Sequence, residues 1–180
     1  MKRILFAAAA LLAAAALVFA LNYESVEEHY SSGCSDAQTG TVTLLVSCEE
    51  IANDSGVGQV LKANDLVPDD GLIIPETEVA ISDGDTAFDV LSNALNERRI
   101  HFDYSAISDR SVYVKGINNI YEYDCGDLSG WMYSVNGDFP TVSSSEYTLH
   151  DGDSLRWLYT CDLGRDVGDN YYAAQGEKHE

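Results

Sequence analysis

The sequence predicts an α+β fold, a mixed sheet packed on one principal helix at about residues 86–99. Three observations predict it. Apolar residues recur with period 2 in several short segments, the period of a half-buried strand. One segment switches to period 3.6, and the residues after it return to period 2. The order of two strands, one helix and then several strands suits a sheet gripping a helix, not alternating βα units.

Thr41 to Cys48 sets Val42, Leu44, Val46 and Cys48 against Thr41, Thr43, Leu45 and Ser47, which predicts a first strand with a mostly apolar second face. Residues 50–70 read as loop, with a short helix at Gly58–Ala63. Glu76 to Ile81 predicts a second strand, and Ser82-Asp83-Gly84-Asp85 a turn that delivers the helix. Asp85 or Thr86 can cap that helix, and Asp89 suits its first turn. Phe88, Leu91 and Leu95, with Ala87, Val90 and Ala94, form the stripe to be buried. Arg98 and Arg99 place cations at its C-terminus. Ile100, Phe102 and Tyr104 alternate with His101 and Asp103 as a third strand, and Ser111 to Ile117 is a fourth. Gly130 to Asn136 is a fifth, ending in the hairpin signal Asn136-Gly137. Ser154 to Cys161 is the last, with Leu155, Trp157, Tyr159 and Cys161 on one face. A β-grasp-like placement, with the first and last strands side by side, follows by fold-level analogy.

Outside this body the chain changes character. Lys2 and Arg3 precede 18 uninterrupted apolar residues, Ile4 to Leu21, nine of them Ala. The pattern over 1–21 is a signal peptide, with Val18-Phe19-Ala20 before the cut, or an uncleaved signal anchor about 27 Å long. Either reading puts the body outside the cytoplasm, secreted or anchored to the membrane by the N-terminal segment. Residues 22–40 read as a polar spacer, 41–163 as the folded domain and 164–180 as a disordered acidic tail.

The 180 residues hold 10 Lys+Arg against 30 Asp+Glu, a formal charge of −20. Such a surface repels phosphates, so nucleic acid is excluded as a partner. The histidines at 29, 101, 150 and 179 are scattered and form no H-E-x-x-H, and neither a G-x-S-x-G elbow nor a P-loop is present. The two Asp-Gly-Asp turns, at 83–85 and 151–153, lack the twelve-residue calcium loop and read as turn chemistry. The sequence therefore predicts no enzyme, no metal site and no cofactor. Four cysteines, Cys34, Cys48, Cys125 and Cys161, favour two disulfides in an exported chain, with three pairings open.

The stretch from Tyr121 to Pro140 is dense in aromatic side chains of the kind that meet flat ligands and protein partners. Its candidate ligand contacts are Trp131, Met132, Tyr133, Asn136 and Phe139. Trp131 and Tyr133 share a strand face with Val135 and are equally candidates for the core. Met132 and Asn136 point the other way. Phe139 follows the turn, where a ring is harder to bury.

Gly130-Trp131-Met132-Tyr133-Ser134-Val135-Asn136-Gly137, Asp151-Gly152-Asp153 and Trp157-Leu158-Tyr159-Thr160-Cys161 together resemble the transcobalamin-like C-terminal domain of bacterial surface proteins, a family largely of unknown function. The resemblance covers roughly 41–165 and implies a β-grasp-type domain related to the small domain of animal cobalamin carriers. There the ligand lies between a helical barrel and this small domain. It implies an extracellular non-enzymatic binding module for a corrinoid or another soluble ligand, supplying one half of a clamp that a partner surface protein completes. The alternative is a cell-surface protein–protein interaction module with no small ligand. The resemblance also implies a cysteine where this chain has Ser144, bridging to the position of Cys125. With that partner missing, Cys34 is expected to pair with Cys125. If the first and last strands are parallel neighbours, parity brings Cys48 and Cys161 to one edge of one sheet face, and the expected second bridge is Cys48–Cys161.

Overall fold

The computed structural model describes residues 39–54, 56–108 and 110–169. The signal or anchor segment, the spacer up to residue 38, Cys34 and the tail beyond Asp169 lie outside the described residues. The architecture is α+β, as predicted, with seven strands in two sheets. In chain order the elements are β1 (Gly40–Ser47), α1 (Glu49–Asn53), α2 (Val57–Ala63), β2 (Leu72–Ile81), α3 (Ala87–Arg98), β3 (Phe102–Ala106), β4 (Val112–Ile117), β5 (Ile120–Tyr121), β6 (Gly130–Val135) and β7 (Ser154–Thr160). A 3-10 turn, Arg165–Val167, follows.

The larger sheet runs β2-β1-β7-β6 and the smaller β3-β4-β5. β1 pairs antiparallel with β2 and parallel with β7, so the first and last strands are neighbours, as the β-grasp analogy expects. The alternation read from the sequence sets the inner face. Val42, Leu44, Val46, Leu155, Trp157 and Tyr159 join Val90, Leu91, Ala94 and Leu95 of α3 in one buried cluster. Helix α3 begins with a capping box. The Thr86 hydroxyl accepts from the Asp89 amide at 3.2 Å, and the Asp89 carboxylate accepts from the Thr86 amide at 3.0 Å.

Several boundaries move for local reasons. The third strand begins at Phe102 and not at Ile100, because the helix ends on Arg99 at φ 56°, and Arg99 and Ile100 donate back to Asn96 and Leu95. β2 begins at Leu72, four residues before Glu76. It is an edge strand, where Pro75 is tolerated, and irregularities in register at Leu44 to Ser47 of β1 absorb the extra length. α1 occupies residues read as loop. The ordered body runs past Leu163, where the tail was expected to begin. Gly164 is buried and donates to the Thr160 hydroxyl at 2.7 Å, while Asp166 accepts from the Cys161 amide at 2.6 Å.

The expected Cys48–Cys161 and Cys34–Cys125 bridges are replaced by Cys125–Cys161, with Cα atoms 5.5 Å apart. The parallel adjacency behind the expectation holds, but the register defeats the bridge. Ser47 pairs with Leu158, so Cys161 lies two residues beyond the level of Cys48, roughly 7 Å of strand rise. β6 starts beside the end of β7, Gly130 opposite Thr160, and the loop before β6 delivers Cys125 there. Cys48 is a free, fully buried thiol that donates to the Gly71 carbonyl at 3.3 Å.

Candidate functional site

The site grows from the end of β6. Asn136 and Gly137 both take positive φ, 56° and 89°, and Val135 and Asp138 exchange amide–carbonyl bonds of 2.9 and 3.0 Å around them. This is the two-residue turn that Asn-Gly favours. It does not lead into β7. The chain leaves Asp138 and crosses residues 139–149 before returning at Ser154. Asn136 fastens the two ends of that excursion. Its side chain accepts from the Ser154 amide at 2.9 Å and donates to Asp153 at 2.8 Å.

The excursion is zipped between two elements. On one side it caps α3, whose first amides lack partners within the helix. Ala87 and Phe88 donate to the carbonyls of Tyr147 and Ser144 at 2.9 and 3.0 Å, and Leu149 donates to Asp85 at 2.9 Å. On the other side it meets the β3–β4 hairpin. Ser143 accepts from the Val112 amide at 3.1 Å and donates to its carbonyl at 3.0 Å, and Ser145 donates to the Arg110 carbonyl at 2.6 Å. Between hairpin tip and loop lies an open groove of about 590 Å³, lined by Ala106, Ser108, Arg110, Val112, Ser145 and Glu146. That volume is within the range of small-ligand sites. Arg110 forms no ion pair among the described residues. The groove thus offers one guanidinium, one carboxylate and apolar walls, a set suited to binding a polar edge.

The five residues singled out from sequence do not gather into one site, and none lines this groove. Trp131 is core, 6% exposed, with its indole N–H donated to the Ile120 carbonyl at 2.9 Å and its ring edge-on to Tyr159. Tyr133 packs on Trp157 and donates its hydroxyl to the Val142 carbonyl at 2.8 Å, which holds the loop that walls the groove. Burial first, then Tyr147 and Glu146, push its phenol well above the usual range, so it stays a donor. Met132 lies on the opposite face, its sulfur packed where a Cβ at Gly164 would sit. Asn136 is committed to the turn. Phe139 is half-buried at the start of the excursion. Ser143, Ser145 and Arg110 were not singled out. Their only signal is the Ser143-Ser144-Ser145 run ahead of Glu146, and Ser144 serves through its carbonyl at the helix terminus. Among the described residues no cluster of His, Cys, Asp and Glu could hold a metal ion.

A family described as a domain of unknown function (DUF4430) matches residues 84–160, from the turn before α3 to the end of β7. No curated protein matches the chain. Among solved structures, the chain is similar to haptocorrin in complex with Cbi, with a TM-score of 0.51, 17% identity and 74% of this chain covered. The match covers 28% of haptocorrin, so the chain spans little more than a quarter of that protein. It is also similar to a protein from Ruminococcus gnavus ATCC 29149 whose name proposes metal binding. There the TM-score is 0.39 and the identity 12%, over 67% of this chain and 96% of that one.

Proposed function

We propose that the domain is a non-enzymatic binding module outside the cytoplasm, taking a corrinoid or another soluble ligand and forming one wall of a two-part site. The observation that carries this reading is the shared fold with haptocorrin, a protein solved with Cbi bound, over most of the ordered body. Two features support it. The groove at the hairpin tip is open on one side, as a half-clamp would be, and its walls are fixed by Tyr133, Ser143 and Ser145. The Cys125–Cys161 disulfide suits an oxidising compartment.

The test is titration of the full chain with cobalamin and with Cbi, followed by heat and by the visible absorbance of the corrinoid. Trp131 and Trp157 are 6% and 3% exposed, so their fluorescence is a poor direct reporter. Saturable binding is expected, and Arg110→Gln should weaken it by roughly 1–3 kcal/mol with the fold intact. No heat and no absorbance change at about 1 mM corrinoid would end the corrinoid reading. A second reading, a protein–protein module, is favoured by Ile107, which is 68% exposed between the groove residues Ala106 and Ser108. Retained partner capture by an Ile107→Asp variant would remove Ile107 from the contact, and no capture by the unaltered chain would end this reading.

A further inference from the structure

A second cavity opens on the outer face of the larger sheet and shares no lining residue with the groove. β7 sends Leu155, Trp157 and Tyr159 to the core, so Arg156 and Leu158 point to the other face, opposite Leu45 and Ser47 of β1. Two pieces of chain wall that face at one end. One is the first turn of α1, with Glu49 and Glu50. The other is the C-terminal turn, fastened where Leu163 donates to the Leu128 carbonyl at 2.9 Å and Gly164 donates to the Thr160 hydroxyl at 2.7 Å. They enclose about 210 Å³, lined by Ser47, Glu49, Glu50, Arg156, Leu158 and Asp166, with Tyr159 and Val167 completing the wall.

The charges in this cavity are unequally used. Both oxygens of Asp166 are taken, by the Thr160 hydroxyl and the Cys161 amide. Glu49 accepts from the Ser47 hydroxyl at 3.2 Å. The side chains of Glu50 and Arg156 make no hydrogen bond or ion pair among the described residues, although both line the same small space. Their backbones place them on different walls, one on a helix and one on a strand, and they form no ion pair with each other. Burial, then the nearby Asp166 and Glu49, push the Glu50 carboxyl up, so this wall lacks a cation. Arg156 lacks an anion.

We propose that this cavity binds a small zwitterion of the amino-acid class, its ammonium on the Glu50 wall and its carboxylate on the Arg156 guanidinium. A fork of N–H donors matches a carboxylate in two parallel bonds. Leu158 and Val167 supply apolar surface for a short side chain. A simple anion meets three carboxylates besides Arg156, and a simple cation leaves Arg156 unpaired, so a ligand carrying both charges fits best.

The experiment is calorimetric titration of the full chain with glycine, L-alanine and L-serine, beside ethylamine and propionate, each of which carries one of alanine's two charges. One saturable site for the amino acids is expected, with ethylamine and propionate at least about tenfold weaker. Arg156→Gln and Glu50→Gln should each weaken alanine about tenfold or more, and Arg156→Lys should weaken it less, because the positive charge stays although the fork is lost. Both positions are at the surface, and a circular-dichroism melt confirms that the variants fold. No saturable heat up to about 10 mM amino acid, ethylamine binding as well as alanine, or unchanged affinity in both Gln variants would each overturn the proposal. The corrinoid titration reads a different cavity, so the two readings fail separately.

Discussion

Cys48 turns inward where the sequence pattern alone suggested a bridge. It follows the last residue of β1, and its thiol points to the Gly71 carbonyl with none of its surface exposed. Burial first, then the charge of Asp70, push this thiol up to about 12. The thiolate is the reactive species, so at pH 8 this group is both protonated and shielded. Alkylation of the native chain with iodoacetamide should leave the peptide bearing Cys48 unmodified, and the same treatment in denaturant should label it fully. Labelling of native Cys48 at the rate of an exposed thiol would contradict its burial. The same lesson holds at Asn136 and Trp131. Composition marks both as contact residues, but each spends its polar group on the chain itself, Asn136 at the surface on Ser154 and Asp153 and Trp131 in the core on Ile120.

At the scale of elements, the capping box shows what local sequence can specify. Thr86 and Asp89 satisfy each other's amides at the start of α3, so Thr86→Ala should cost about 0.5–2 kcal/mol. A urea midpoint shift with unchanged slope checks it, and a loss below about 0.3 kcal/mol would mean that Tyr147 and Ser144, which take the Ala87 and Phe88 amides, carry the terminus alone. Strands β1, β4, β6 and β7 were legible because each runs six or more residues rich in β-branched and aromatic side chains, although β6 and β7 bury residues on both faces. α1 and β5 were not, since five and two residues are too few to show a period. The excursion over 139–149 was not legible either. Its bonds run to Val112, Arg110, Asp85 and the α3 terminus, all distant in sequence, and nothing local encodes those partners. Because the groove depends on that excursion, the aromatic signal of the neighbouring hairpin gave no pointer to it.

For the whole molecule, the disulfide connectivity weighs entropy against geometry. Closing Cys48 to Cys161 would restrain a loop about 110 residues long, against a sequence separation of 36 for Cys125 and Cys161. Loop entropy grows only logarithmically, so the longer bridge would gain only about 1 kcal/mol more. Moving Cys48 out of the core would cost its apolar contacts and its bond to Gly71, on the order of 1–3 kcal/mol. Geometry therefore outweighs entropy, and the bridge forms where the strand register brings Cα atoms within reach. It joins the loop before β6 to the end of β7, next to the turn that Asp166 holds. The double variant Cys125→Ser, Cys161→Ser should lose about 3–4 kcal/mol in the chain-entropy argument. Equilibrium urea unfolding would show this as a lower midpoint. Because the bridge restrains mainly the unfolded chain, the slope should stay the same or rise slightly as that chain expands. A loss under about 1 kcal/mol would mean that the loop from Tyr123 to Ser129 is held by its own hydrogen bonds, Cys125 to Ser129 at 3.1 Å and Ser129 to Gly126 at 2.7 Å, with the disulfide adding little.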